Sequence, residues 1–224
     1  MALIEKILRR IGVNLAFSQE GEDLVIARLF QQRPVGYYVD VGGHHPWRYS
    51  NTALLYNRGW KGIVIEPNPR ARILFRLLRS RDSFVSCAVG SERGTADYRQ
   101  FRQSALNSLE QTVSDERSRL GYEIVGTRSV QVRTLDDILE EHCGSQTIEL
   151  LSIDVEGHEA SVLKGFDIGR WRPEAVCIEI MRARMDSSAD NGIVASLARH
   201  GYRPFSKFLH SWLLVADDSR IWDV

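Results

Sequence analysis

Two acidic residues follow apolar segments that have the pattern of buried strands. Residues 37–43 read YYVDVGG and contain Asp40, and residues 62–66 read GIVIE and end at Glu66. In an open parallel sheet, ligands bind beyond the carboxyl ends of the strands, where glycines allow the backbone to approach the ligand. An acid at the end of the second strand accepts hydrogen bonds from ribose hydroxyls. The two segments therefore predict a pocket for a nucleoside.

The residues after Asp40 do not follow the dinucleotide-binding pattern. That pattern needs G-x-G-x-x-G leading into a helix, whereas residues 42–46 read GGHHP, with two adjacent glycines and then a proline. A nicotinamide cofactor is therefore disfavoured. S-adenosylmethionine has ribose hydroxyls and no pyrophosphate, so we expect it to be the cofactor.

A second group of candidate residues lies in residues 150–159, which read LLSIDVEGHE. The run begins as a buried strand, reaches Asp154, turns at Gly157 and places His158 where the next helix begins. The dipole at the amino end of a helix disfavours the imidazolium form, so a neutral His158 would accept a proton from a substrate hydroxyl. The alternative is that His158 only caps or supports the loop. His44 and His45 are the reserve candidates for the base.

Glu179 ends the next apolar segment and should lie beside Asp154 at the same edge of the sheet. Two adjacent buried carboxylates repel each other unless one is protonated or a cation lies between them. Carboxylate oxygens suit a hard cation, so we expect Mg²⁺ on Asp154 and Glu179. The alternative is that Glu179 pairs with an arginine.

The segments that position these residues alternate between helical and extended patterns. Helical patterns cover residues 20–30, 51–58, 69–79, 134–141, 158–164 and 190–199, and strand patterns cover 37–41, 62–66, 84–89, 148–153 and 174–180. The alternation predicts an α/β fold with a parallel sheet between two layers of helices. Three residues separate the extended segments 202–207 and 211–216, which predicts an antiparallel hairpin. A mostly parallel seven-stranded sheet with a C-terminal hairpin is typical of the Rossmann-like class I methyltransferase fold.

Residues 94–133 interrupt the alternation with polar residues and hold two short strand patterns, 95–101 and 129–133. We expect this insertion to form a lid or a wall of the substrate site. The chain shows no repeat or linker, so we expect one domain over residues 1–224. We expect residues 1–30 to form an N-terminal helical segment. Its amphipathic first helix should pack on the domain or, in a homodimer, on a second subunit, and lying on a membrane is the less favoured alternative.

Composition limits the partners and the compartment. The 29 basic and 29 acidic residues give zero formal charge, so no overall field attracts nucleic acid. Cys87, Cys143 and Cys177 form no C-x-x-C pair and have the pattern of buried free thiols, which favours a cytoplasmic protein. No apolar run is long enough to span a bilayer, and the N-terminus lacks a signal-peptide pattern.

Several motifs occur together in a specific order: SQEGED, VDVGGHHP, SNT, GWKGIVIEPNP, AVG and LSIDVEGHE. By these motifs the chain resembles the FkbM family of S-adenosylmethionine-dependent O-methyltransferases, from about Phe17 to Ile180. One departure is Gly43, where the family often carries alanine.

The resemblance implies roles for individual residues. Glu66 would bind the ribose, and Cys87 and Ala88 would lie near the adenine. His158 and Asp154 would be catalytic, and Asp154 and Glu179 would hold the metal. The residues that it assigns to the cofactor are Gln19, Asp40, Gly42, Gly43, Asn51, Thr52, Glu66, Pro67, Asn68, Cys87, Ala88 and Asp154.

The expected reaction is methyl transfer to a hydroxyl of a sugar, polysaccharide or glycosylated natural product. A base-flipping nucleic-acid methyltransferase usually carries an Asn/Asp-Pro-Pro-aromatic motif where this chain has DVEG at residues 154–157, so that class is disfavoured. The alternative from another class is a non-catalytic cofactor-binding or assembly module of a glycan biosynthesis pathway.

Overall fold

The computed structural model describes residues 10, 12, 14–180 and 192–223. The strands within these residues are β1 Tyr37–Val41, β2 Lys61–Ile65, β3 Ser83–Val85, β4 Ala88–Val89, β5 Gly94–Phe101, β6 Ile124–Arg133, β7 Leu150–Ile153, β8 Ala175–Glu179, β9 Tyr202–Lys207 and β10 Ser211–Ala216. The α-helices are α1 Glu22–Leu29, α2 Ala53–Asn57, α3 Pro69–Leu78, α4 Gln111–Arg119, α5 Leu135–His142, α6 Glu159–Lys164, α7 Ile168–Trp171 and α8 Gly192–Arg199. Short 3₁₀ helices cover Ser104–Leu106 and Arg220–Asp223.

Seven strands form one sheet in the order β3-β2-β1-β7-β8-β10-β9. The first five strands in this order, β3, β2, β1, β7 and β8, pair in parallel. Strand β10 runs antiparallel to both β8 and β9. The prediction of a mostly parallel seven-stranded sheet with a C-terminal antiparallel hairpin is confirmed. The hairpin strands have the bounds that the sequence predicted.

The two faces of the sheet bury separate cores because side chains alternate along each strand. Val39 and Val41 face the core formed with α5, α6 and α8. Tyr38 faces the other core, which α1, α2 and α3 cover. Asp40 lies two residues after Tyr38 and therefore on the same face of the sheet. Its carboxylate accepts a hydrogen bond from Thr52, just before α2.

Most predicted helices differ from the structure by one or two residues at their ends. The amphipathic helix predicted at the N-terminus falls almost entirely outside the described residues, as does the start of the helix predicted for 190–199. Cys87, Cys143 and Cys177 are buried free thiols. None of the helices in the described ranges combines the length and apolarity needed to cross a bilayer.

The single strand predicted for residues 84–89 is wrong. The chain forms β3, which pairs with β2, and then β4, which joins a second sheet of three strands in the order β4-β6-β5. An apolar run indicates that a segment is buried, but it does not indicate which sheet the segment joins. The hydrophobic pattern therefore did not predict the break at Ser86 and Cys87.

The insertion is more regular than its polar sequence predicted. β5 and β6 pair antiparallel from Gly94 to Phe101, and β6 begins at Ile124 rather than at the predicted Ser129. Helix α4 lies between them and was not predicted, because Gln111–Arg119 has little apolar periodicity. Its buried residues are polar: Ser114 and Arg117.

A buried arginine connects the elements around β1. Arg79 follows α3, is fully buried, and forms an ion pair of 2.7 Å with the fully buried Asp82. The guanidinium also donates to the Tyr38 hydroxyl at 2.8 Å and to Thr52 Oγ1 at 2.9 Å. Tyr38 and Gly62 donate to Asp82 in turn. One guanidinium thus connects β1, the start of α2 and the turn before β3.

We expect Arg79→Ala to lower the free energy of unfolding by about 3–5 kcal/mol, because it leaves the Asp82 carboxylate buried without its cation. Urea denaturation measures this change. Arg76→Ala is the matched control, since Arg76 is exposed on the same helix and its loss should cost less than about 0.5 kcal/mol. A cost below about 1 kcal/mol for Arg79→Ala would contradict the structural role.

Candidate active site

A pocket lies beyond the carboxyl ends of β1, β2 and β7. This edge of a parallel sheet is the usual place for a small ligand in an open α/β fold. The insertion also contributes to its wall, through Tyr98, Asn107 and Leu109. The sequence-predicted residues that line it are Gln19, Gly42, Glu66, Pro67, Cys87, Ala88 and Asp154.

Glu66 directly follows β2, and its carboxylate accepts hydrogen bonds from several groups. Its Oε1 accepts hydrogen bonds from the Asn68 backbone N–H at 2.7 Å and the Tyr98 hydroxyl at 3.3 Å, and its Oε2 accepts one from the His44 backbone N–H at 3.0 Å. Burial raises the pKa of Glu66 to about 7, although the two backbone donors act in the opposite direction. The carboxylate is therefore held in a fixed orientation and titrates near neutral pH.

Gly42 allows the loops after β1 and β7 to meet. It has a φ of +88°, and a Cβ there would lie 1.7 Å from the carbonyl oxygen of Asp154. Any side chain at this position would push the two loops apart. Gly43 has a different constraint, because a Cβ there would lie 2.2 Å from Val64 Cγ1, under the loop rather than in the pocket.

Three predicted cofactor residues lie behind the pocket lining. Thr52 Oγ1 donates to Asp40 Oδ2 at 2.5 Å, and Asn51 Nδ2 donates to Ser152 Oγ on β7 at 3.3 Å. Burial raises the pKa of Asp40, while Arg79 and Thr52 lower it. In this arrangement Asp40, Asn51 and Thr52 support the loop after β1. Direct contact of these side chains with a cofactor stays a prediction.

Asn68 also has a local structural contact. Its side chain accepts from the Arg70 backbone N–H at 3.1 Å and caps the amino end of α3, while its own N–H fixes Glu66. Asn68 therefore connects the Glu66 carboxylate after β2 to the start of α3.

An acidic cluster lies at the carboxyl ends of β7 and β8. Carboxylate oxygens of Asp154, Glu156 and Glu179 lie within 4.8 Å of one another, which brings together the two residues predicted from the sequence and adds Glu156. Burial, followed by the neighbouring carboxylates, raises the pKa of both Asp154 and Glu179. Glu179 Oε2 is buried without a hydrogen-bond partner among the described residues. The cluster can accept a hard cation through oxygen ligands.

Glu156 is the residue of this cluster that sequence reasoning missed. Glu156 is part of the motif at residues 151–159, but the sequence did not indicate that its backbone φ would be positive, at 57°. The positive φ lies in a turn where Arg117 donates to the Glu156 carboxylate and Ser108 Oγ donates to its carbonyl oxygen at 2.8 Å. Both partners come from the insertion.

His158 precedes α6 and has its Nδ1 2.5 Å from Glu110 Oε1. A carboxylate only accepts, so Nδ1 donates, and Nε2 is the acceptor nitrogen when the ring is neutral. His158 is not among the residues that line the pocket, and Nε2 lies near Gly90, where a Cβ would approach it to 3.4 Å. The imidazole is thus oriented by the insertion, and its catalytic role stays a prediction.

The reserve histidines have different surroundings. His45 Nδ1 accepts from the backbone N–H groups of Trp47 and Arg48, both at 3.1 Å, so His45 supports its own turn. His44 lines the pocket, and its Nε2 lies 3.0 Å from Ser104 Oγ. Burial, with the charge of Arg48, lowers the pKa of His44 to about 4, which keeps its ring neutral.

The insertion is bonded to all three loops that form the pocket. Ser104 contacts His44 after β1, Tyr98 contacts Glu66 after β2, and Glu110 contacts His158 after β7. Tyr98 and Ser104 line the pocket, and the role of the insertion as a lid or substrate wall stays a prediction. None of these pairings had a sequence signal, because each joins residues more than 30 positions apart.

Comparisons with known proteins agree with this geometry. The sequence model of a family described as "Methyltransferase FkbM domain" matches residues 40–204, about three quarters of the chain. A similar curated protein is "Methyltransferase sdnD" from Sordaria araneosa, which is 30% identical over 139 residues. That match covers 50% of this chain and 53% of the relative, so the chain spans about half the length of the curated relative.

Proposed function

From the premise that this chain belongs to the FkbM methyltransferase family, we propose that it transfers a methyl group from S-adenosylmethionine to a hydroxyl of a sugar, polysaccharide or glycosylated natural product. The observation that carries the proposal is the pocket in which Glu66 and Asp154 face one space beyond a parallel sheet. When bound, the cofactor supplies an electrophilic methyl group on its sulfonium.

The residues of the pocket suit the parts of this cofactor. Glu66 has two carboxylate oxygens fixed by backbone donors, and each retains lone-pair capacity for a ribose hydroxyl. Pro67, Cys87 and Ala88 line the part of the pocket next to Glu66 and offer little charge to an adenine. Gln19 and Asp154 line the same pocket and are assigned to the polar methionyl end.

We expect calorimetry to show binding of S-adenosylmethionine and S-adenosylhomocysteine and no heat from NAD. Glu66→Ala should weaken binding by about 2–4 kcal/mol, because two charge-assisted hydrogen bonds are lost. Protonation of Glu66 removes acceptor capacity, so wild-type affinity should fall roughly tenfold between pH 8 and pH 6, as a pKa of about 7 requires.

The Glu66→Ala protein is the control for this pH dependence, since its affinity should vary little over the same range. Equal affinity for the cofactor in the wild type and the variant at pH 8 would remove the ribose assignment.

The acidic cluster is proposed to hold Mg²⁺. The fit rests on the donor set, which consists of oxygens of Asp154, Glu179 and Glu156, and on the unpartnered, buried Oε2 of Glu179. Such a cation, when bound, supplies positive charge that favours loss of the acceptor's hydroxyl proton. The chain's own contribution is to hold three carboxylates together, with Arg117 fixing one of them.

We expect EDTA to abolish methyl transfer and Mg²⁺ or Mn²⁺ to restore it, because the ligands are oxygens. Asp154→Ala and Glu179→Ala should each be nearly inactive and should lose Mn²⁺ binding in a direct titration. Glu140→Ala, on the exposed surface of α5, is the matched control and should behave as wild type. Full activity in a demetallated sample would overturn the metal role.

His158 is proposed to accept the proton of the acceptor hydroxyl. Its hydrogen bond with Glu110 places the proton of the neutral ring on Nδ1, so that Nε2 would be the accepting nitrogen. A neutral imidazole whose other nitrogen donates to a carboxylate is a usual general base. The sugar hydroxyl is weakly acidic, so proton removal must accompany alignment with the methyl donor.

We expect His158→Ala to bind the cofactor normally and to lose about 100-fold or more in turnover, the usual scale of general-base catalysis. His142→Ala is the control, because His142 ends α5 on the surface and should retain wild-type turnover. Transfer is measured by mass spectrometry on a panel of glycans with isotopically labelled cofactor. Turnover near that of the wild type would return His158 to a supporting role in the loop.

A further inference from the structure

Helix α3 exposes an apolar stripe on the side opposite the core. Ala71 and Phe75 are buried against the sheet, whereas Ile73 is 65% exposed and Leu77 is 75% exposed. Leu74 and Leu78 extend the stripe and are 39% and 43% exposed. Residues four apart lie on the same face of a helix, so Ile73 with Leu77 and Leu74 with Leu78 form two adjacent rows. An exposed row of this kind is a candidate interaction surface rather than a scattered set of apolar residues.

The same helix carries positive charge only. Arg70, Arg72 and Arg76 are exposed beside the apolar rows. The helix reads PRARILFRLL, with these three arginines and no acidic residue. A chain with zero net charge therefore has a locally basic surface at α3. We call the seven residues Arg70, Arg72, Ile73, Leu74, Arg76, Leu77 and Leu78 the α3 face.

We propose that the α3 face docks on an anionic lipid bilayer. A helix that presents aliphatic side chains flanked by arginines lies in the plane of a membrane interface, with the aliphatics at the acyl boundary and the guanidinium groups at the phosphates. Arginine suits this role because its fork donates to phosphate oxygens and its stem packs on apolar surface.

The charge of the face argues against a second copy of the chain as the occupant. A two-fold dimer through α3 would bring the same patch of both subunits together. Six exposed arginines would then face one another without an acidic residue on either helix. Like charges across an interface are costly, whereas a layer of lipid phosphates complements them.

The location of the helix connects the surface to the pocket. Pro67 lines the pocket, and α3 begins at Pro69. Docking through α3 would therefore hold one rim of the pocket near the lipid headgroups. The binding itself does not depend on the proposed methyl transfer, so it is tested without cofactor or acceptor.

The experiment is flotation of the full chain with vesicles of phosphatidylcholine alone and of phosphatidylcholine mixed equally with phosphatidylglycerol. We expect the protein to float with the anionic vesicles only, and added salt to weaken the binding. The double variants Ile73→Ser/Leu77→Ser and Arg72→Gln/Arg76→Gln should each reduce the binding constant about tenfold or more.

Matched controls are present elsewhere on the surface. Leu120→Ser/Leu209→Ser removes two leucines that are 77% and 67% exposed and lie away from α3. Arg119→Gln/Arg128→Gln removes two exposed arginines of the insertion. Both control pairs should bind anionic vesicles as the wild type does, and circular dichroism should show equal folding of all variants.

Three outcomes would overturn the proposal. The first is no binding to anionic vesicles, and the second is binding that the α3 variants leave unchanged. The third is a wild-type dimer in solution that Ile73→Ser/Leu77→Ser converts to a monomer, which would make the face a subunit interface. Binding to anionic vesicles that is lost in both α3 variants and kept in both controls supports it.

Discussion

The buried guanidinium of Arg79 fixes the elements from which the pocket is built. It is fully buried and bonded to Asp82, Tyr38 and Thr52, so it joins the middle of β1, the start of α2 and the turn before β3. A buried cation is tolerated only where acceptors surround it, and each acceptor here belongs to a different element. Thr52 in turn donates a hydrogen bond to the buried Asp40 carboxylate. One buried polar network therefore positions the loop after β1.

The shape of the pocket depends on two further features: the close approach of two backbone loops and the hydrogen bonds that the insertion makes to the loops. Gly42 lies so near the Asp154 carbonyl that the loops after β1 and β7 share one boundary. Tyr98 and Ser108 then bond the insertion to the loops after β2 and β7. Movement of the insertion would free Glu66 and Glu156 from these bonds together. The insertion thus donates hydrogen bonds to two carboxylates of the pocket, through Tyr98 to Glu66 and through Arg117 to Glu156.

The sequence predicted the parts of this protein that depend on local pattern. The strand before Glu66, the hairpin, and the meeting of Asp154 with Glu179 follow from apolar runs and from the rule that parallel strands end at one edge. Three features left no local trace. The break between β3 and β4 depends on which sheet each segment pairs with. Helix α4 is mostly polar, with Ser114 and Arg117 buried, and Glu156 joins the cluster from a turn in which its φ is positive. Each is decided by residues distant in sequence.

Zero net charge conceals a separation of charge within the fold. Acidic side chains gather where β7 and β8 end, because parallel strands bring their following loops together, and the pKa values of Asp154 and Glu179 rise in response to burial and to their neighbours. The α3 face has the opposite character, with three exposed arginines and no acidic residue. A protein's local potential depends on such clusters rather than on its sum of charges. The zero formal charge of the chain therefore excludes neither a cation at the first region nor phosphate groups at the second.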